Sequence, residues 1–230
     1  YKLEEEIEVL YDRTFTIISK LSYVIYEEIK SLKPEARAKY EIPEVAYSAL
    51  ADIMKTLLVK RLDSSFEAFK QSLQNFLTKL KSKAKQFENG KIFIAPGIKE
   101  INISEYVLED REDELEKLLT NDQSKGEIYS PDDFENNFYE KLLLDLELIE
   151  PLYNDWKTII EDPKYDILLK NLKDNLFKKP LNSGGKIVIF SEAKVTTDYL
   201  TKRLEKDGYN KVLNINASNR NKLKQKLQTE

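Results

Sequence analysis

Apolar residues recur at three- and four-residue steps through most of this chain. Leu3, Ile7, Leu10, Phe15, Ile18, Leu21, Val24 and Ile25 form one such stripe. A second runs through Leu50, Ile53, Leu57, Val59, Leu62, Phe66, Phe69, Leu73, Phe76, Leu77 and Leu80. This period matches one face of an α-helix, so both stretches read as amphipathic helices whose stripes pack a core. Pro34, Pro43 and Gly90 punctuate them. After Gly90, the run from Lys91 to Gly97 reads as either a short strand or an extended connector. Asp110 to Leu119 reads as a helix with acids in its first turn, where the macrodipole favours them. Ser130-Pro131-Asp132-Asp133 supplies a cap, a proline for the first turn and adjacent acids, and predicts a long helix from about Phe134 to Ile160.

The last part of the chain changes period. Ser183-Gly184-Gly185 is a flexible break. Lys186-Ile187-Val188-Ile189-Phe190 is a continuous β-branched and apolar run, the pattern of a strand buried on both faces. A helix is expected from Val195 to Lys206, stopped by Asp207-Gly208 as a glycine cap, and a second strand from Lys211 to Asn216. Strand, helix and strand at this spacing predict a parallel βαβ unit with a right-handed crossover. Two strands bury little surface, so the sheet is expected to continue beyond Glu230. The fold expected is mostly α with a C-terminal α/β portion. Residues 1–182 would form a helical bundle or long helical hairpin, and 183–230 an incomplete βαβ unit.

Composition narrows the chemistry. The 230 residues include no Cys and no His, which removes thiolate nucleophiles, zinc fingers, Ser-His-Asp triads and histidine bases. A cysteine-free chain with 34% charged residues and no apolar run near the roughly 20 residues of a membrane span is expected to be soluble and cytoplasmic, with no membrane partner. It begins without Met, on an acidic Tyr1-Lys2-Leu3-Glu4-Glu5-Glu6, and stops in a polar amphipathic stretch, so it is expected to be an internal piece of a larger protein. The net charge of −4 hides three blocks. Lys55 to Lys91 holds nine Lys/Arg against three Asp/Glu, Glu100 to Asp166 six against twenty-one, and Lys170 to Glu230 fourteen against six. Two basic arms flank an acidic middle.

No glycine-rich loop ends in Gly-Lys-Ser/Thr, and no acidic pair follows an apolar strand, so nucleotide hydrolysis is not complete within this sequence. The Gly-Lys of Asn182 to Lys186 precedes its strand, whereas a phosphate loop follows one. The many carboxylate pairs sit in amphipathic runs and read as solvated helix faces. The thirteen Tyr are scattered and form no base-stacking stripe.

Two segments say more. In Met54 to Phe69, helical geometry is expected to put Lys60 and Arg61 on the polar face, with Asp63 and Ser64 within a turn to hold them. The wording Lys60-Arg61-Leu62-Asp63-Ser64-Ser65 resembles the Lys-Arg-Leu-(Asp/Glu)-Ser-Ser helix that joins the two RecA-like domains of bacterial Swi/Snf-like superfamily-two helicases. Gly185 to Leu200, followed by a helix and Val212-Leu213-Asn214-Ile215-Asn216-Ala217-Ser218-Asn219-Arg220, is similar to the opening of the second RecA-like domain of the same helicases. The two segments come in the family's order and cover about a quarter to a third of the chain.

The resemblance implies a fragment of an ATP-dependent DNA helicase or translocase. ATP and magnesium would bind in the full-length parent and not here, because the phosphate-binding lobe would precede Tyr1 and the arginine completing the ATP site would follow Glu230. Loops at the C-terminal ends of parallel strands face ligands in open α/β sheets. The resemblance therefore implies nucleic-acid contacts for Ser191, Glu192, Lys194, Thr196 and Thr197, for Ser218, Asn219 and Arg220, and for Lys60 and Arg61, aimed at backbone phosphates. The competing expectation is a non-catalytic scaffold that recruits a protein partner through the acidic helical insertion.

Overall fold

The computed structural model of the chain describes residues 4–38, 44–94, 127–191, 193–216, 219, 220 and 223. Helix α1 (Glu5–Lys20) buries Ile7, Leu10 and Ile18 of the expected stripe together with the polar Thr14, whereas Phe15 of that stripe is exposed. It stops short of the expected Ile25. Leu21 is extended, Tyr23 takes the left-handed φ of 54°, and Val24–Tyr26 form a 3-10 turn. Side-chain chemistry holds this bend: Ser22 donates its N–H to Asp145 Oδ1 at 2.7 Å and its hydroxyl to Oδ2 at 2.9 Å, while the Tyr23 hydroxyl donates to the Ile18 carbonyl at 3.1 Å.

After the short α2 (Pro34–Arg37), the second stripe is two helices rather than one, α3 (Glu44–Ser64) and α4 (Phe66–Glu88). The break is Ser65, extended at φ −159° and ψ 148°, whose Oγ accepts the Ala68 N–H at 3.0 Å as the N-cap of α4. The buried set of α4 is broad, from Phe66 and Phe69 through Leu73, Phe76 and Leu80 to Phe87, because α4 packs against two neighbours. At its end Gly90, with φ 68°, lets the Lys91 N–H reach the Gln86 carbonyl and its own N–H reach that of Phe87, a Schellman closure.

Of the run from Lys91 to Gly97, residues 91–94 are described and hold strand β1 (Ile92–Ile94), paired antiparallel with β2 (Glu127–Tyr129) in the register Ile92 opposite Tyr129 and Ile94 opposite Glu127. The helix expected over Asp110 to Leu119 lies outside the described residues. Ser130 does act as a cap, in a capping box with Asp133, but on a 3-10 turn, Pro131–Asp133. Phe134 then stays extended because it is buried and bridged to Leu32, with the Glu135 N–H on the Ser31 carbonyl at 2.8 Å. The long helix expected from Phe134 therefore starts later, as α5 (Phe138–Thr158).

α4 packs against α3 and α5, and α1 against the same two, so four helices form a ring around one core. At its centre Trp156 is fully buried, edge-on to Phe66 and Phe69 at 4.9 and 5.2 Å, and donates its indole N–H to Thr14 Oγ1 at 2.8 Å. Charge blocks that are distant in sequence meet here. Lys81 of α4 pairs with Glu150 of α5, Lys70 donates to the Ile159 carbonyl at 3.1 Å, and the buried Lys83 pairs with Glu28 at 2.9 Å. Burial pushes the Glu28 carboxyl above its ordinary range, and Lys83 opposes that shift.

A second, smaller cluster follows. Asp162 accepts the Lys164 and Tyr165 N–H groups at 3.1 Å and starts α6 (Pro163–Asn171), which runs into a π-helical turn, Leu172–Leu176. Tyr165, Leu168, Leu169 and Leu172 pack with Leu200 and Leu204 of α7 (Lys194–Lys206). Gly208, at φ 93°, completes the predicted stop, with the Tyr209 N–H on the Leu204 carbonyl at 2.9 Å.

The expected parallel strands are corrected. Neither Lys186–Phe190 nor Lys211–Asn216 is assigned as a strand, and the one sheet among the described residues is β1–β2. Each run does lay one apolar side chain, Ile187 or Val212, on the cluster around Leu204. The opposite sides are open, with Val188 75% and Phe190 90% exposed, so the burial on both faces that a parallel strand requires is missing.

Candidate functional site

One residue of the second informative segment, Thr196, meets two of the first, Ser64 and Ser65, where α3 gives way to α4. Ser64 ends α3, Ser65 caps α4, and Thr196 lies in the first turn of α7. The Thr196 Oγ1 is 3.1 Å from Ser64 Oγ and 3.1 Å from Ser65 Oγ. These three hydroxyls join the four-helix ring to the C-terminal cluster, and the cap hydrogen bond to Ala68 fixes one of them. Beside them Asp63 faces Lys164 of α6 at 3.6 Å. Asp63 thus reaches across to the smaller cluster.

Arg61 is not on the polar face. It is 6% exposed and donates from Nη1 to Ser72 Oγ at 2.5 Å, holding α3 to α4. The expected outward placement fails because the wide apolar stripe of α3 turns this position toward α4. Lys60 is exposed. Thr196 is 5% exposed, so its hydroxyl is given to the joint and not to the surface.

Around the start of α7, Ser191 is half-buried with its hydroxyl 3.5 Å from the Ala193 carbonyl, and Thr197 donates to the Lys194 carbonyl at 2.8 Å. Lys194 is exposed. Asn214 donates from Nδ2 to Asp198 Oδ1 at 2.6 Å, which ties the 211–216 run to the early turns of α7. Asn219 closes the following turn, accepting the Asn216 N–H at 2.8 Å and donating to the Asn214 carbonyl at 3.0 Å. Arg220 follows on the surface, its N–H on the Asn216 carbonyl at 2.9 Å. Glu192 and Ser218 lie outside the described residues. Lys60, Lys194 and Arg220 are thus the candidates that present an exposed cation.

One cluster had almost no signal in the sequence. The Arg203 guanidinium lies 4.1 Å over the Tyr165 ring and donates to the Tyr199 hydroxyl at 2.9 Å. The Tyr165 hydroxyl in turn donates to Asp207 Oδ2 at 2.5 Å. Burial, and then Asp207, holds the Tyr165 phenol above its usual range; burial, and then Asp162, does the same for Tyr199. Burial alone would lower Arg203, but Tyr199, Tyr165 and Asp162 outweigh it and raise its pKa. These contacts clamp α6 to α7. The i,i+4 spacing of Tyr199 and Arg203 is its only trace in the sequence.

Among the described residues no group of three or more Asp or Glu converges to hold a metal ion. No described helix is long and apolar enough to cross a membrane. Compared with models of known families, with curated proteins and with solved structures, the chain has no significant match.

Proposed function

We propose that this chain is the helical bridging and insertion region, with the opening of the second RecA-like lobe, of a Swi/Snf-like ATP-dependent helicase or translocase. In that role it contacts the nucleic-acid backbone and couples the two lobes. The observation that carries the reading is the joint itself. The Ser64-Ser65 pair and Thr196 belong to the two separate segments that resemble this family, and their hydroxyls lie 3.1 Å apart. Ile187 and Val212, one from each of the two apolar runs, both pack on the cluster that includes Leu200 and Leu204 of α7. Further strands packed on Val188, Phe190, Leu213 and Ile215 would complete such a lobe and cover side chains now exposed.

The division of labour follows from burial. Lys194 and Arg220, both exposed, would hold phosphate oxygens. Thr196, inside the joint, would transmit the position of α7 to the break between α3 and α4. ATP and magnesium belong to the parent, and no step is assigned to them through these residues. The test is fluorescence anisotropy of labelled duplex and single-stranded DNA titrated with the purified chain at several salt concentrations. The proposal expects binding that weakens steadily with salt and does not depend on sequence. No binding to either form at low salt would overturn it.

A further inference from the structure

Among the described residues the two apolar clusters have no member in common: the first ends at Ile159 and the second starts at Tyr165. The chain between them is short and anchored at both ends. The Ile159 carbonyl accepts from Lys70 at 3.1 Å, and Asp162 caps α6 by accepting the Lys164 and Tyr165 N–H groups. Ile160 and Glu161 lie between those anchors and are exposed, Ile160 by 87%. An isoleucine left so open adds no packing that would fix the connector.

The contacts that bridge the clusters at the joint are polar. Thr196 Oγ1 lies 3.1 Å from both Ser64 Oγ and Ser65 Oγ, and Asp63, its side chain 79% exposed, faces Lys164 at 3.6 Å. Water replaces such partners at little net cost when the groups part. The smaller cluster, in contrast, is tied firmly within itself: Arg203 lies 4.1 Å over Tyr165 and donates to Tyr199 at 2.9 Å, Tyr165 donates to Asp207, and Phe177 stacks on Tyr209 at 6.3 Å. Two bodies with separate cores, a polar contact and a short exposed connector have the layout of a hinge. We propose that the α6–α7 cluster swings as one body about residues 160 and 161, with the Ser64, Ser65 and Thr196 hydroxyls as its latch. Closed, the latch sets the start of α7 against the break at Ser65; open, it frees both. The motion follows from the packing and needs no nucleic acid.

The test is double electron–electron resonance on spin-labelled pairs, which the absence of Cys makes unique to the introduced positions. Glu147→Cys/Lys202→Cys reports the distance from α5 to α7, and Asp166→Cys/Lys202→Cys that from α6 to α7; all three positions are exposed. The α5–α7 pair should show one dominant distance and a second, minor one populated at about 1–10%. Thr196→Val, which loses about one net hydrogen bond, should raise the minor population about fivefold, whereas Thr196→Ser keeps the hydroxyl and the native distribution. The α6–α7 pair should hold one distance throughout. Circular dichroism serves as the fold check for each variant. A single unchanged α5–α7 distance in Thr196→Val would overturn the proposal, as would an equal rise in Thr196→Ser. Spreading of the α6–α7 distance in Thr196→Val would also overturn it, since the cluster would then be melting and not swinging.

Discussion

Replacing Thr14 with valine keeps the side-chain shape and deletes one oxygen at the centre of the four-helix ring. That oxygen accepts the Trp156 indole N–H at 2.8 Å and donates to the Leu10 carbonyl at 2.7 Å, with both Thr14 and Trp156 fully buried. The indole sits among Phe66 and Phe69, which offer no acceptor. An unsatisfied buried donor costs about 1–3 kcal/mol, so Thr14→Val should destabilise the ring by about 2 kcal/mol. With a urea slope of about 2 kcal/mol/M, the unfolding midpoint should fall by about 1 M. Far-UV circular dichroism at pH 7 reads the transition, and the single Trp of the chain reports the same site by fluorescence in this variant. Trp156→Phe removes the donor, so Thr14→Val in that background should cost less by about 1 kcal/mol. An unchanged midpoint in Thr14→Val, or strict additivity in the double variant, would refute the assignment.

Burial raises the Asp145 carboxyl above its ordinary range, although hydrogen bonds from Ser22, Tyr23 and Val24 oppose this. The native state then holds that proton more tightly than the unfolded chain, so the group's stabilising contribution is complete below about pH 4 and is lost as pH rises through the native value. Asp145→Asn should flatten this dependence in urea titrations from about pH 4 to about pH 7, whereas Asp145→Ala should destabilise at every pH by leaving the Ser22 N–H without its acceptor; identical pH profiles for native and Asn forms would count against the reading. Ser65→Ala should cost about 1 kcal/mol in urea unfolding by removing the cap of α4, and an unchanged midpoint would argue that the cap is dispensable. Thr196→Val should speed hydrogen exchange in α7 and leave the core amides of α4 unchanged, and equal protection in both would remove the joint.

Local signals were legible because their causes are local. The stops at Gly90 and Asp207-Gly208 and the cap at Ser130 need only neighbouring residues, and each is where the residue types place it, although the cap opens a 3-10 turn and not the long helix. The break at Ser65 was hidden because Leu62, Phe66 and Phe69 keep three- and four-residue steps straight across it, and one extended residue does not disturb that count. Arg61 looked like half of a basic pair, but its environment depends on Ser72 across the α3–α4 interface. The runs 186–190 and 211–216 have strand composition, yet pairing depends on remote partners that composition does not specify. The exposed cations of the candidate site could be read from residue type and turn position. The burial of Thr196 could not, since its partners are 131 and 132 positions away.

The most direct test of the central claim is the salt dependence of DNA binding by the Lys194→Gln/Arg220→Gln chain beside the native one. On two duplexes of unrelated sequence, the variant should bind both more weakly by the same factor. The slope of log affinity against log salt should fall by about one unit for each phosphate that the substituted side chains no longer neutralise, about two in all. An unchanged slope, or a weakening confined to one duplex, would contradict the account.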